Sequence, residues 1–120
     1  MTEPTYNEFV SRLSKPGQAI LASLTPEKCH LTHMAIGVSG ESGELLDAVK
    51  RYVIYQKLLD KENVIEEIGD TLFYLQGICN SIGVTLEDCI EGNIKKLSDR
   101  YKTLIYSDQQ AQERADKNGS

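Results

Sequence analysis

Two pairs of acidic residues are the part of this sequence best suited to chemistry. Each pair has a spacing of three residues, Glu41 with Glu44 and Glu67 with Asp70. In an α-helix a step of three residues turns the chain by about 300°, so both acids of a pair lie on one face, one turn apart. Two such helices packed antiparallel would bring four carboxylates together. Because a hard divalent cation with oxygen ligands relieves the repulsion among them, the spacing predicts a Mg²⁺ or Mn²⁺ site.

An isolated Glu-x-x-Glu on a helix is more often a solvated face than a metal site, because glutamate favours helices and prefers water. The second pair changes this balance. Glu67 and Asp70 lie within the most apolar predicted helix, where solvated acids are less expected. Glu66 is an alternative to Glu67 in a shifted register, although only Glu67 precedes Asp70 by one turn.

The composition places these acids in a small globular protein. A chain of 120 residues suits one compact domain, which we expect at residues 1–106, followed by a polar tail at 107–120. No apolar run reaches the about 20 residues that a membrane span needs, and the N-terminus lacks the apolar region of a secretory signal. We therefore expect a cytoplasmic protein without membrane association.

The net charge, the cysteines and the histidines argue against several kinds of partner and metal site. A formal net charge of −5 argues against a nucleic-acid-binding surface, which needs a basic patch. Three cysteines without a Cys-x-x-Cys pair argue against a disulfide framework and against a zinc site. A ferritin-like di-iron bundle needs Glu-x-x-His on each of two helices, whereas His30 and His33, the only histidines, lie on one predicted helix.

Apolar residues recur at spacings of three and four along the chain, which predicts an all-α fold. N-terminal capping signals mark the starts of four main helices, and Thr5 with Glu8 and Thr85 with Asp88 have the spacing of capping boxes. The predicted helices are a short one from Thr5 to about Ser14 and longer ones at 26–57, 61–81 and 86–104.

Polar residues near the acids and on the fourth helix are candidates for binding an anionic substrate. Asn93, Lys96 and Arg100 are spaced at three and four beside the apolar stripe of that helix. Lysine and arginine are the usual side-chain partners of phosphate oxygens, although a solvated helix edge has the same spacing. Tyr74 lies one turn after Asp70, and Arg51 lies two turns after Glu44, so both could border the cluster.

Segments 33–48, 63–75 and 93–101, which carry these residues, resemble the MazG-type nucleotide pyrophosphohydrolases of the all-α NTP pyrophosphatase superfamily. That superfamily has the pattern Glu-x-x-Glu, a spacer, then Glu-x-x-Asp. The resemblance implies Mg²⁺-dependent hydrolysis of (deoxy)nucleoside triphosphates to the monophosphate and pyrophosphate, in nucleotide pool control or housecleaning. It also implies that the four paired acids are catalytic and hold the metal. The residues expected to bind the substrate are then Tyr74, Asn93, Lys96, Arg100 and Arg51.

Two further expectations concern assembly and alternative functions. A domain of this size with a broadly apolar third helix seldom buries that surface alone, so we expect a homodimer or homotetramer in which helices of two protomers complete one bundle. Hydrolysis of another phosphorylated compound, such as phosphoribosyl-ATP, is one alternative function. A non-catalytic helical binding module, whose acids only solvate two helices, is the other.

Overall fold

The computed structural model describes residues 2–113, and within them only α-helices and their connections occur. The predicted all-α fold class is confirmed. Within the same residues, none of the helices has the length and apolar character needed to cross a membrane. The helices are α1 (Tyr6–Leu13), α2 (Gly17–Ser23), α3 (Pro26–Val53), α4 (Lys61–Ile82), α5 (Leu86–Arg100) and α6 (Asp108–Glu113).

The four predicted helix starts are confirmed, each by a capping side chain. The hydroxyls of Thr5 and Thr85 accept the backbone N–H three residues on, and the acid at that position accepts the N–H of the threonine. Thr25 and Asp60 cap α3 and α4 through their side-chain oxygens. Such a cap stabilises a helix by about 1 kcal/mol, so local sequence determines where these helices begin.

Two predicted helix ends are wrong by about four residues. α3 ends at Val53 rather than near Lys57, and α5 ends at Arg100 rather than near Leu104. In each case a residue within the predicted extension has a positive φ, 55° at Gln56 and 59° at Leu104. A right-handed helix requires a negative φ, so neither helix can continue through these residues.

Two short helices were not predicted. α2 has only seven residues, too few for an apolar period to be recognised. α6 lies in the segment predicted to be a polar tail, and none of its residues is buried. The remainder of that predicted tail, residues 114–120, lies outside the described residues.

α3 and α4 form an antiparallel pair, which is the principal helix–helix contact. Two glycines allow the close approach of these helices. A Cβ atom at Gly37 would overlap the ring of Tyr74 on α4, and one at Gly77 would overlap the side chain of Met34 on α3. Each helix therefore seats one large side chain on a glycine of the other, which fixes their register and separation.

The single chain buries little apolar surface. Among the described residues the buried apolar side chains are Met34, Ala48 and Cys79. The radius of gyration is 20.4 Å, whereas a compact chain of this length has about 14 Å. Large apolar side chains on the outer faces of α3 and α4 stay exposed, and Phe73 is 67% exposed.

Candidate active site

Three acidic side chains meet between α3 and α4. Glu41 from α3 and Glu67 and Asp70 from α4 each offer a carboxylate oxygen, and these oxygens lie within 4.8 Å of one another. Glu67, rather than Glu66, is the residue that the α4 register turns towards the cluster. Glu67 is buried with 7% of its surface exposed, whereas Glu41 is half-buried and Asp70 is exposed.

The environment of Glu67 favours its protonated form. A hydrogen bond shared with the Glu41 carboxyl group, then burial, then the neighbouring Glu44 raise the pKa of Glu67 from 4.5 to about 7. Glu44 is thus the fourth acid of the cluster, although it lies at the exposed edge. Three of the four paired acids therefore converge, and the fourth lies beside them.

One carboxylate oxygen of Glu41 and one of Glu67 are buried without a hydrogen-bond partner. A buried polar atom without a partner costs about 1–3 kcal/mol, and more when it is charged. Within residues 2–113 the ion pairs are Arg12 with Glu8 and Arg51 with Asp47, so no lysine or arginine there neutralises the cluster. Convergent, unpaired oxygen ligands of this kind fit Mg²⁺ or Mn²⁺.

A polar cleft with a volume of about 480 Å³ opens beside the acid cluster. Gly40 and Gly43 lie along it, and a Cβ atom at either position would have no neighbour within 4 Å. These two helix glycines, unlike Gly37, therefore leave open backbone surface rather than a packing contact. The other lining residues are Glu44, Asp47, Arg51, Asn63 and Glu67.

Arg51 is the one predicted binding residue that lines this cleft. Its Nε lies 3.8 Å from Oδ2 of Asp47, and both side chains are about half exposed. Asp47 and Asn63 also line the cleft and were not predicted to do so. Their spacing carried a signal, because Asp47 follows Glu44 by three residues and Asn63 precedes Glu67 by four, each about one turn away.

Tyr74 lies one turn from Asp70, where the sequence placed it, but its ring is half-buried in the contact between α3 and α4. The ring packs on Gly37, its centroid is 6.3 Å from that of His33, and Phe73 meets it edge to face at 5.2 Å. Packing is the role that these contacts establish. Contact with a substrate stays a prediction.

The predicted phosphate-binding residues of α5 do not share the cleft, which α5 does not line. Asn93 lines a separate cavity between α5 and the segment that follows it, beside Tyr101 and Tyr106. Lys96 is exposed, and Arg100 is half-buried with its Nε unpaired. Within a single chain, therefore, the cations of α5 and the acids of α3 and α4 form two separate groups.

Comparison with known proteins agrees with the resemblance seen in the sequence. A family model described as the MazG nucleotide pyrophosphohydrolase domain matches residues 30–105. A curated relative, the "Gene 37 protein" of Mycobacterium phage L5, is 30% identical over 79 residues, which cover 58% of this chain and 65% of the relative. The chain thus spans just under two thirds of that relative's length. No solved structure matches the chain. Because the family match includes both acidic pairs and more than half of the chain, this protein belongs to the MazG nucleotide pyrophosphohydrolase domain family.

Proposed function

We propose that this protein hydrolyses (deoxy)nucleoside triphosphates to the nucleoside monophosphate and pyrophosphate in a Mg²⁺-dependent reaction. The observation that carries the proposal is the convergence of unpaired carboxylates between α3 and α4, within the segment that matches the family. Nucleoside triphosphates are intracellular compounds, so we propose a cytoplasmic role in nucleotide pool control or housecleaning.

We assign Glu41, Glu44, Glu67 and Asp70 as the residues that hold the metal. Their oxygens suit Mg²⁺, with Mn²⁺ as a substitute. The hydrogen bond with Glu41 and burial, followed by the neighbouring Glu44, raise the pKa of Glu67, and a bound cation would instead favour its charged form. When bound, the ion would neutralise charge on the phosphates and lower the pKa of a nearby water. One carboxylate of the cluster accepts the proton of the attacking water as the bond between the α-phosphorus and the leaving oxygen breaks.

We assign Lys96 and Arg100 to the pyrophosphate group, with Asn93, Tyr74 and Arg51 contacting phosphate or sugar. Arg51 supports this assignment because it lines the cleft beside the acids. The α5 residues do not line the cleft in one chain, so they can contact the same substrate only if the cleft belongs to another chain. We propose that α5 of a neighbouring subunit supplies them, because lysine and arginine are the usual side-chain partners of phosphate oxygens.

A homo-oligomer, either a dimer or a tetramer, is therefore part of the proposal. The exposed apolar faces of α3 and α4 support it, as does a radius of gyration far above that of a compact monomer. Burial of apolar surface stabilises association by about 25 cal/mol per Å². Two α3–α4 pairs packed through these faces would form a four-helix bundle with an acid cluster on each pair.

A nucleotide panel tests the proposed reaction. The full chain is incubated with each common deoxynucleoside and ribonucleoside triphosphate, and with phosphoribosyl-ATP, in Mg²⁺ or in EDTA. Chromatography then identifies the products. We expect monophosphate and pyrophosphate from at least one nucleotide, no reaction in EDTA, and loss of turnover in Glu44→Ala and Asp70→Ala.

Glu66→Ala is the matched control, because Glu66 is exposed on α4 next to Glu67. It should retain wild-type turnover. Release of the diphosphate and phosphate would contradict the proposed cleavage position. No turnover of any compound, with Mg²⁺ failing to raise the thermal midpoint, would favour a binding module.

A further inference from the structure

Cys79 and Cys89 bring two thiols together where α4 turns into α5. Their Sγ atoms are 3.8 Å apart, and both cysteines are free. Cys79 lies four residues before Gly83, the C-cap of α4, and Cys89 is the fourth residue of α5. A disulfide holds its sulfurs about 2.05 Å apart, so rotation of the two side chains over less than about 2 Å would close the bond.

We propose that Cys79 and Cys89 form a redox-sensitive dithiol site, which a peroxide converts into an intramolecular disulfide joining α4 to α5. The proposal rests on the proximity and the unequal exposure of the two thiols. It does not depend on the reaction proposed for the acid cluster.

The exposure of the two thiols sets the order of reaction. Cys89 is exposed and meets the oxidant first, whereas Cys79 is buried with 4% of its surface exposed. Burial, followed by the hydrogen bond with Cys89, raises the pKa of the Cys79 thiol, so Cys79 retains its proton at first. Exposed thiolates are the sulfurs that peroxides oxidise, and a neighbouring thiol then resolves the product.

The chemistry balances with hydrogen peroxide as the oxidant. The Cys89 thiolate attacks one peroxide oxygen, the O–O bond breaks, and hydroxide leaves and takes up a proton, which gives a sulfenic acid and water. Cys79 then loses its proton, and its sulfur attacks the Cys89 sulfur. The S–O bond breaks, the oxygen leaves as water, and the S–S bond forms. Two thiols have lost two electrons, and the peroxide has become two water molecules.

The disulfide would restrain α5, a helix with few packing contacts to the rest of the fold. No residue of α5 is buried, and its principal contact is with α4. The turn at Gly83–Thr85 and the two cysteines are therefore where α5 is attached to the α3–α4 pair. A disulfide there would fix the start of α5, the helix that carries Asn93, Lys96 and Arg100.

The protease sites of the chain allow a direct test on the full protein. No lysine or arginine lies between Lys61 and Lys95, so one tryptic peptide, 62–95, contains both cysteines. Cleavage after Glu87 then separates Cys79 from Cys89 unless a disulfide joins the fragments. The starting protein carries Cys29→Ser, which removes the third, exposed cysteine and leaves the pair intact.

The Cys29→Ser protein is reduced, freed of reductant, treated with hydrogen peroxide, unfolded in urea so that buried Cys79 becomes accessible, labelled with a maleimide and digested. We expect both thiols to be lost and peptide 62–95 to lose two hydrogens. After cleavage at glutamate, the fragment with Cys79 and the fragment with Cys89 should stay joined until dithiothreitol is added. Adding Cys89→Ser should leave Cys79 labelled, and this exposed position tolerates serine without loss of folding. Independent labelling of both cysteines would overturn the proposal. So would over-oxidation of Cys89 alone, or covalent dimers in place of the internal bond.

Discussion

The α3–α4 pair and α5 differ in how completely one chain builds them. The pair is locked by two large side chains seated on glycines, and it brings Glu41, Glu67 and Asp70 together with Glu44 at their edge. α5 is correctly capped but buries no residue, and its polar row lies away from the cleft. One chain thus assembles the acids of the proposed site. It does not place Lys96 and Arg100 of α5 beside them.

This difference indicates where the missing contacts lie. Within the described residues the acids have no cationic partner, whereas α5 carries Lys96 and Arg100 away from the cleft. Large apolar side chains on α3 and α4 also stay exposed. A second copy of the chain would account for both observations at once. We therefore propose that α3–α4 is the preassembled part of the site and that α5 is the part completed by assembly.

The largest effect should follow from removing the central carboxylate. We expect Glu67→Gln to lower kcat by on the order of 100-fold or more, the size that loss of a positioned acid or base produces. The amide keeps the shape of the side chain but cannot carry the negative charge that the metal requires. Steady-state kinetics with a cleaved nucleotide would measure the loss.

Glu66→Gln provides the control for this prediction, because it makes the same chemical change at the exposed neighbouring position. It should leave kcat within a factor of two or so, as surface changes commonly do. Equal losses in the two variants would mean that α4 as a whole, rather than the cluster, supports activity.

A mixed-subunit experiment tests whether α5 acts on the neighbouring chain. We expect Arg100→Ala to lower kcat/KM about 10- to 100-fold, the loss of one charged hydrogen bond to phosphate. Asp70→Ala should be inactive. When the two variants are co-expressed and the hybrid is isolated with two tags, a dimer with shared sites has one intact site, from the acids of one chain and the α5 of the other.

The hybrid dimer should therefore recover about half of the wild-type activity, since one of its two sites is intact. The separately purified variants, mixed without exchange, serve as the control. A hybrid no more active than the mean of its parents would show that α5 serves the acids of its own chain. The uncovered faces of α3 and α4 would then need another explanation.

Two glycine substitutions test the lock between α3 and α4. Gly37→Ala should lower the free energy of unfolding by about 1–3 kcal/mol, because its Cβ would overlap the ring of Tyr74 and force it to move. Gly40→Ala is the matched control three residues away, with open space around its Cβ. It should raise stability by up to about 1 kcal/mol through helix propensity. Urea unfolding would measure both, and equal effects would argue against the lock.

The α3–α4 region was also the more predictable of the two regions. Capping residues at Thr25 and Asp60 and the three-residue spacing of the acids are local signals, so the helix starts and the convergence of the acids followed from the sequence. The contact of Gly37 with Tyr74 could not be predicted, because it depends on the register between two helices.

The ends of α3 and α5 were missed because Gln56 and Leu104 carry no residue signal for a positive φ. Asn93, Lys96 and Arg100 do not line the cleft in one chain, and a periodic pattern within α5 does not encode the surface on which that helix packs.

The smallest predicted effect is a pH dependence of stability that belongs to the acid cluster alone. In EDTA the folded protein holds the proton on Glu67 with a pKa of about 7, whereas the unfolded chain releases it near 4.5. The folded state therefore binds more protons between these pH values, and the free energy of unfolding should fall as pH rises from about 4.5 to about 7. Glu67→Gln should flatten this part of the profile, because the amide does not titrate. Excess Mg²⁺ should raise stability most at the upper end, where the deprotonated acids bind it. Denaturant unfolding across this range would measure the slope, and stability that rises with pH equally in wild type and variant would place the charge of Glu67 in solvent instead of in a buried cluster.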